Sequence, residues 1–198
     1  MPNINDVLRM NGVNPNVERI EHDFYSTDPT AIDYLLKYET FNMNIWECAC
    51  GNGNLTRKLK EYGYNVISSD IVDRGYENTI IKDFLTSTSL IGGGKLGMDI
   101  ITNPPYSLVT EFVTKAYELT TQKVAMFLKI QFLETIRRYD EIFKKIPPKN
   151  VYIFVKRIPC YKNDNRNHKQ SAVCYTWVVW DKKHSGDTII RWIPNHKF

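Results

Sequence analysis

Residues 46–54 read WECACGNGN, and this stretch decides how the surrounding chain is expected to fold. An apolar segment with the character of a strand runs into a turn that holds Gly51 and Gly53, and a helical segment follows. Glycine lets a backbone turn tightly and approach a ligand closely. A strand, a glycine turn and a helix in this order predict the first unit of an α/β fold, with a ligand site at the turn.

Glu47, at the end of that strand, indicates which ligand the turn would accept. The turn lacks the third glycine of the dinucleotide fingerprint, and an acid just before it would repel a pyrophosphate. The same carboxylate would attract an ammonium or sulfonium group. A plain tight turn that binds nothing is the alternative for this segment taken alone.

Strand-like and helix-like segments alternate along the rest of the chain. The strand candidates are MNIWECA, NVISSDI, TIIKDF, MDIITN, KVAMFLKI, VYIFVKR and AVCYTWVVW, with TIIRWI as a candidate addition at the edge. The helix candidates are DPTAIDYLLKY, with Asp28 as its N-cap, and NLTRKLKEYG, LVTEFVTKAYELT and ETIRRYDEIFKK. This order predicts an α/β, doubly wound, mostly parallel seven-stranded sheet. The last two long strands are joined by too few residues for a helical crossover, so we expect an antiparallel pair at one edge.

The composition is that of an ordinary globular protein, with 42% hydrophobic and 24% charged residues in a chain of 198. No apolar run approaches the roughly 20 residues that a membrane-spanning helix needs, so we expect no membrane partner and a cytoplasmic location. The net charge of +4 permits a nucleic-acid partner without requiring one. We assign residues 1–22 to an N-terminal extension and residues 23–198 to a single domain.

The cysteines do not form a metal-binding pattern. Four are present, and CAC places a single residue between the first two, whereas a zinc site needs paired ligands at wider spacing and a second pair. We therefore expect no metal, and free thiols in a reducing compartment. The cysteines are Cys48, Cys50, Cys160 and Cys174.

Acidic residues follow two further strands at positions where an α/β sheet binds its ligands, beyond the carboxyl ends of the strands. Asp70 lies about 20 residues after the glycine turn, where an acid typically bonds ribose hydroxyls. A helix N-cap is the alternative role for Asp70. Asp83 and Phe84 follow the next strand candidate, and they could accept a hydrogen bond from an adenine amino group and pack on its ring.

The segment ITNPPYS, residues 101–107, ends another predicted strand abruptly, because a pair of prolines cannot continue a central strand. Asn103 offers a carboxamide oxygen and Pro104 offers a carbonyl, and both accept hydrogen bonds from an exocyclic amine. Pro104 and Pro105 would hold these acceptors rigidly, and Tyr106 offers a flat face for stacking a base. A turn that merely ends a strand is the alternative.

Together these residues resemble the S-adenosylmethionine-dependent amino-methyltransferases of the DNA adenine-N6 type. ECACGNG is similar to that family's cofactor loop, acid-Pro-x-Cys-Gly-x-Gly, and NPPY is its catalytic tetrapeptide. FYSTDP, residues 24–29, resembles the FY-x-T-P element that precedes the cofactor loop in one subgroup. SDI, DFL, TNPPY, SAVCYTWVVW and RWIP are similar to segments of compact phage and prophage methyltransferases, so the resemblance spans roughly residues 24–194. The sequence departs at Cys48, where proline is usual, and at Asp28, which is inserted between Thr27 and Pro29.

The resemblance implies a Rossmann-like methyltransferase fold and methyl transfer from S-adenosylmethionine to the N6 amine of adenine in DNA, without a metal. S-adenosylhomocysteine would be the product. The catalytic residues that it implies are Asn103, Pro104, Pro105 and Tyr106. The cofactor's methionine end would meet Thr27, Glu47 and residues 49–53, its ribose Asp70, and its adenine Asp83 and Phe84. The complete cofactor set is Phe24, Tyr25, Thr27, Glu47, Cys48, Ala49, Cys50, Gly51, Gly53, Asp70, Ile71, Asp83, Phe84 and Asn103.

A base inside a duplex cannot reach such a pocket, so the enzyme must flip it or accept single strands. The late segment KRIPCYKNDNRNHKQ, residues 156–170, holds five Lys or Arg residues against one acid, and it also carries Tyr161. Basic side chains beside an aromatic ring suit phosphate contacts and base stacking. A solvated hairpin loop is the alternative. The substrate-binding candidates are Tyr106, Lys129, Gln131, Tyr161, Lys162 and Arg166.

Other activities share the same tetrapeptide, and they stay open at this point. RNA adenine-N6 and protein-glutamine methyltransferases carry NPPY as well, and a methyltransferase-fold module could bind nucleic acid without turnover. The basic late segment favours a nucleic acid, with DNA as the expected partner. The sequence shows no separate target-recognition domain, so we expect a loose sequence preference. It does not predict an oligomeric state.

Overall fold

The computed structural model describes residues 24–89, 97–162, 164, 166 and 173–196, so the expected N-terminal extension lies outside the described residues. The strands are β1 (Tyr25–Thr27), β2 (Asn44–Glu47), β3 (Asn65–Asp70), β4 (Thr79–Ile81), β5 (Asp99–Thr102), β6 (Lys123–Lys129), β7 (Asn150–Phe154), β8 (Cys160–Lys162), β9 (Tyr175–Asp181) and β10 (Ile189–Ile193). The helices are α1 (Thr30–Leu35), α2 (Asn54–Glu61), α3 (Val109–Leu119) and α4 (Ile136–Arg138). The chain continues from α4 as a π-helix over Tyr139–Phe143, and 3-10 turns span Tyr106–Leu108 and Ile130–Leu133.

Eight strands form the central sheet, in the order β10-β7-β9-β6-β5-β2-β3-β4. Neighbouring strands are parallel except at β9, which runs antiparallel to both β6 and β7. The strand order reverses between β2 and β5, because the chain first builds outward from β2 to β4 and then returns to the other side of β2. Ligand sites of α/β folds lie at such a reversal, beyond the carboxyl ends of the strands.

The predicted α/β, mostly parallel sheet and its antiparallel pair are confirmed. The sheet has eight strands where seven were expected, because TIIRWI pairs with β7 as the parallel strand β10. The antiparallel pair of β7 and β9 therefore lies one strand in from the rim, which β10 forms. Among the described residues, no helix is long and apolar enough to cross a membrane.

Helices cover both faces of the sheet, as a doubly wound fold requires. Successive residues of a strand point to opposite faces, and Ile45 and Trp46 of β2 show this alternation. Trp46 packs in the same cluster as the buried face of α3, whereas Ile45 packs with the buried residues of α1 and α2. The buried α3 residues recur at helical spacing, and they are Val109, Phe112, Val113, Ala116 and Leu119.

Two helical segments are shorter than their patterns predict. The first was expected over residues 28–38, but its regular part is α1, and Asp28 caps it through hydrogen bonds from the Thr30 amide (3.0 Å) and hydroxyl (2.7 Å) to Asp28 Oδ1. The segment ETIRRYDEIFKK begins as α4 and then widens into the π-helix. Its alternation of polar and apolar residues does not distinguish these two helical forms.

A buried polar cluster lies at the amino ends of the strands, opposite the carboxyl ends where a ligand site is expected. Glu39 accepts hydrogen bonds from Lys123 Nζ (2.8 Å), Asn150 Nδ2 (2.7 Å) and the Tyr152 hydroxyl (2.7 Å). Burial alone would raise the pKa of Glu39, but these three hydrogen bonds outweigh it and lower the pKa below its usual value. The carboxylate therefore stabilises the fold when ionised.

Glu39→Gln is expected to lower the free energy of unfolding by about 2 kcal/mol at pH 7, because Lys123 loses its carboxylate partner. The contribution of Glu39 is complete above its usual pKa of 4.5 and fades as the pH falls through the lowered folded value. The difference between the two proteins should therefore narrow in acid, as measured by denaturant unfolding at several pH values. Glu118→Gln, at the exposed Lys115–Glu118 pair, is the matched control and should cost less than about 0.5 kcal/mol.

Candidate active site

The loops that follow β2, β3 and β5 meet where the strand order reverses, and they carry the residues singled out in the sequence. The glycine turn follows β2, Asp70 ends β3, and Asn103 directly follows β5. Parallel strands end at the same edge of a sheet, so the fold brings these side chains together. The structure therefore gathers in one place three loops that are far apart in sequence.

Two aromatic rings pack against the glycine turn, at the positions where its glycines lack side chains. Gly51 and Gly53 have φ values of +54° and +78°, which favour glycine. A Cβ atom at Gly51 would lie 2.3 Å from the Phe24 ring, and one at Gly53 would lie 2.5 Å from the Tyr76 ring. The guanidinium of Arg74 lies 4.6 Å from the centre of the Phe24 ring. Tyr76 and Arg74 were missed in the sequence, because no local pattern connects them to the turn.

Asp70 ties the glycine turn to β3. Its Oδ2 accepts a hydrogen bond from the Gly51 amide (2.8 Å), and its Oδ1 accepts one from the Val72 amide (3.1 Å). No helix begins at this point, so Asp70 is not a helix cap. Each carboxylate oxygen can accept a further hydrogen bond, so Asp70 can hold the turn and still bind a hydroxyl.

Glu47 is buried beneath the turn and hydrogen-bonded within the fold. The Thr56 hydroxyl of α2 donates to Glu47 Oε2, and it lies 2.9 Å from the Ser68 hydroxyl of β3. Burial, with a smaller contribution from the charge of Asp70, raises the pKa of Glu47 to about 8. The carboxyl is therefore mainly protonated at neutral pH, and a cation placed beside it would favour its ionised form.

The DFL segment contributes a turn and a core residue. Asp83 Oδ1 accepts a hydrogen bond from the Leu85 amide at 2.9 Å. The Phe84 ring is buried, with its centre 5.1 Å from that of Trp46 and 4.9 Å from that of Phe112. The apolar side chain that does face outward near Asp70 is Ile71, which is 50% exposed.

Asn103 presents a buried acceptor that the fold leaves unused. Its Nδ2 donates to the Tyr25 carbonyl oxygen (3.0 Å) and to Thr27 Oγ1 (2.8 Å), so both amide hydrogens are used by β1. Its Oδ1 is buried and has no hydrogen-bond partner among the described residues. Buried acceptors are nearly always paired, so this oxygen lacks a donor that a ligand could supply.

A small two-stranded sheet positions these partners of Asn103. Strands β1 and β8 pair antiparallel, with Tyr25 opposite Lys162 and Thr27 opposite Cys160. The pairing joins the FYSTDP segment to the basic late segment and places both beside the NPPY loop. The alternation of strands and helices in the sequence did not predict it.

Tyr106 lies among aromatic and basic groups. Its ring centre is 5.4 Å from that of Tyr25 and 5.8 Å from that of Tyr175. The Lys129 ammonium lies 4.6 Å from the centre of the Tyr106 ring. The Tyr106 hydroxyl lies 3.8 Å from the Cys160 sulfur. Burial raises the pKa of Tyr106 well above its usual value, so the phenol is neutral. Tyr175 and Cys160 were missed because each lies far along the chain from NPPY.

The other substrate candidates lie on or after β8, except Gln131, which follows β6. The Tyr161 hydroxyl lies 3.3 Å from Asp28 Oδ2, and Arg166 packs over the Tyr161 ring at 5.4 Å. Gln131 follows β6 and is exposed, and its main-chain carbonyl accepts a hydrogen bond from Arg138. Lys162 is the last residue of β8.

All four cysteines are free. In the part of the chain that the structure describes, no group of three or more His, Cys, Asp or Glu side chains could hold a metal.

A scan of protein-family models finds no match to this chain, and a search of curated proteins finds none either. Solved structures with a similar fold do match this chain. A candidate class I S-adenosylmethionine-dependent methyltransferase from Listeria monocytogenes is 12% identical over 94% of this chain and 70% of its own, with a TM-score of 0.59. The modification subunit of a candidate type I restriction enzyme from Vibrio vulnificus YJ016 is 12% identical over 90% of this chain and 49% of its own, with a TM-score of 0.59.

The 23S rRNA methyltransferase ErmE is 18% identical over 81% of this chain and 70% of its own, with a TM-score of 0.54. Identities this low carry information about architecture only, and the three proteins share the sheet and its layers with this chain. The chain has the Rossmann-like α/β fold of class I S-adenosylmethionine-dependent methyltransferases.

Proposed function

We propose that this protein transfers a methyl group from S-adenosylmethionine to the N6 amine of adenine in DNA, presented as a flipped or single-stranded base. The observation that carries the proposal is the unpaired, buried Oδ1 of Asn103 at the reversal of the sheet. An exocyclic amino group is the donor that would satisfy it. The Pro104 carbonyl supplies a second acceptor from the adjoining, rigid backbone.

These acceptors act on the amine nitrogen. The lone pair of an exocyclic amine is delocalised into the base, which makes the nitrogen a poor nucleophile. Hydrogen bonds that Asn103 and Pro104 accept from the two N–H groups favour a more tetrahedral nitrogen, with its lone pair turned away from the ring. Fixed acceptors need no reorganisation at the moment of reaction, so positioning supplies much of the rate.

The residues around the turn fit the cofactor. Asp70 would accept hydrogen bonds from ribose hydroxyls and Asp83 from the adenine amino group, while exposed Ile71 would offer an apolar surface to the adenine ring. Buried Phe84 anchors the adjoining Asp83 to the core. Glu47, which lies by the glycine turn, would stabilise the positively charged end of the cofactor. When bound, S-adenosylmethionine would supply an electrophilic methyl on its sulfonium and would leave as S-adenosylhomocysteine, while the amine would give up one proton to water.

The substrate side is suited to a nucleobase. Tyr106 and Tyr25 offer ring faces for stacking, which binds any base with little sequence preference. Lys129 lies over the Tyr106 ring in this structure, so a stacked base moves the ammonium aside toward the backbone phosphates. Tyr161, with Arg166 packed over it, extends the basic and aromatic surface along β8. The modification subunit and the rRNA methyltransferase among the structural neighbours are in keeping with a nucleic-acid substrate.

The proposal is tested by incubating the full chain with methyl-tritiated S-adenosylmethionine and DNA, RNA or a glutamine-rich protein mixture, and then locating the label. Label in DNA, recovered as N6-methyladenine, supports the proposal. Label in RNA or in protein replaces it with the corresponding activity. Calorimetric binding of the cofactor without label in any substrate would favour a binding module that has lost turnover.

Asp70→Ala is expected to weaken cofactor binding by about 10- to 100-fold, because a hydrogen bond from a ribose hydroxyl to a carboxylate is lost. Asp70→Asn keeps one acceptor oxygen for the Gly51 amide and loses the one that accepts from the Val72 amide, so its unfolding temperature shows how much of the loss comes from the turn. Calorimetry with S-adenosylhomocysteine gives the affinity, and thermal unfolding without ligand gives the cost to the fold. Normal affinity in Asp70→Ala would show that Asp70 serves only to hold the turn.

A further inference from the structure

We propose that strand β1 fixes the donor–acceptor direction of the Asn103 carboxamide, and that this direction makes the pocket select an amino group over a carbonyl. Thr27 is then a positioning residue that sets specificity. The inference rests on the proposed function, because it assigns the chemical edge of the base that the same site reads. Its structural premise can be measured without any methyl transfer.

The Tyr25 carbonyl decides the direction. A carbonyl oxygen can only accept a hydrogen bond, and it lies 3.0 Å from Asn103 Nδ2. Turning the carboxamide by half a rotation would place Oδ1 against this oxygen, so that two acceptors would repel one another. The nitrogen of Asn103 must therefore face β1, and the oxygen must point away from the Tyr25 carbonyl.

Thr27 holds the carboxamide in the direction that the Tyr25 carbonyl sets. Its hydroxyl oxygen takes the second amide hydrogen of Asn103 at 2.8 Å, and Thr27 is only 3% exposed. The Cys160 thiol of β8 lies 3.9 Å from this hydroxyl, and the two residues are opposite one another in the small sheet. Because residues of β1 accept both amide hydrogens, the unpaired Oδ1 is the Asn103 side-chain atom that remains to bond a ligand.

This arrangement has a consequence for base selection. Adenine presents an amino group at position 6, whereas hypoxanthine presents a carbonyl there on a ring of nearly the same shape. An acceptor facing Asn103 Oδ1 gains no hydrogen bond and leaves two buried acceptors in contact. A site built to bond one group rejects the analogue that lacks it, so we expect roughly 10- to 100-fold weaker binding of hypoxanthine.

The test compares single-stranded oligothymidines that carry one deoxyadenosine, or one deoxyinosine in its place. Affinities are measured with the full chain in the presence of S-adenosylhomocysteine. Thr27→Val keeps the shape of the side chain and removes the hydroxyl, so the preference for adenine should fall at least about fivefold. Thr27→Ser keeps a hydroxyl at this position and should restore the preference. A role of Thr27 in packing alone would not change the ratio of the two affinities.

Asn103→Asp tests the Tyr25 carbonyl separately. Aspartate offers the same acceptor to the pocket, but its second oxygen would face the Tyr25 carbonyl. We expect the variant to bind the adenine oligonucleotide at least about tenfold more weakly than the unaltered protein. Wild-type affinity in Asn103→Asp would overturn the inference.

Nuclear magnetic resonance of the Asn103 side-chain amide tests the premise directly. Both Nδ2 hydrogens should exchange slowly with water in the unaltered protein, and one should lose its protection in Thr27→Val. Unchanged protection together with an unchanged ratio of affinities would also overturn the inference. If the unaltered protein does not methylate adenine, the proposed function fails, while the exchange rates still decide whether β1 fixes the direction of Asn103.

Discussion

Asn103→Ala is expected to lower the rate of methyl transfer by about 100- to 1,000-fold, the usual cost of removing one fixed hydrogen-bonding group from an active site. The alanine leaves the amine with the Pro104 carbonyl as its remaining acceptor from NPPY. Cofactor affinity should fall much less, by under about tenfold, because the unpaired Oδ1 serves the substrate. Single-turnover kinetics with saturating cofactor, together with calorimetry, separate the two quantities.

The control for this variant is Asn65→Ala, which removes an exposed carboxamide at the amino end of β3. The candidate site lies at the carboxyl ends of the strands. It should leave the rate of transfer within about twofold of the unaltered protein. A rate for Asn103→Ala within about tenfold of the unaltered protein would contradict the role assigned to Oδ1. A parallel loss of cofactor binding would instead assign Asn103 to the cofactor.

Tyr106→Ala is expected to lower kcat/KM by roughly 10- to 100-fold, because stacking of a base on an aromatic ring is worth about 1–3 kcal/mol. Cofactor affinity measured by calorimetry should change by less than about threefold. Tyr106→Phe keeps the ring and removes the hydroxyl that lies beside Cys160, so it should lose far less than the alanine variant. Equal losses of transfer and of cofactor affinity in Tyr106→Ala would contradict the stacking role.

The alanine at position 106 also removes contacts with Tyr25 and Tyr175, so its effect on the fold has to be measured beside its effect on activity. Thermal unfolding of both variants with saturating S-adenosylhomocysteine provides this control. A Tyr106→Ala protein that is folded and binds the cofactor, yet transfers slowly, isolates the contribution of the ring to substrate binding.

The sequence predicts the sheet because strand patterns and helix patterns alternate along it. Since parallel strands end at a common edge, the same alternation also indicates that Asp70 and Asn103 share one site. The sequence gives TIIRWI only as a candidate addition at the edge, and four of the five β10 residues are exposed in the structure. Its place at the rim depends on pairing with β7, a contact that local patterns do not encode.

Local sequence patterns do not predict which residues contact the site residues. The pairing of β1 with β8 joins Thr27 to Cys160 across 133 positions, and no turn or periodicity connects them. The direction of a side chain at a strand end was equally hidden. Glu47 and Phe84 both lie on the loops that sequence motifs single out, but Glu47 bonds to Thr56 and the Phe84 ring packs into the core.

The proposed role of Asn103 is to present an acceptor to the N6 amine of adenine in DNA. This role is tested by single-molecule sequencing of DNA from cells that express the full chain, or the Asn103→Ala variant, in a host without adenine methylation of its own. We expect N6-methyladenine in DNA from cells with the unaltered protein, and a level near background in DNA from cells with the variant. DNA free of N6-methyladenine, from cells in which the unaltered protein is folded and binds S-adenosylmethionine, would contradict it.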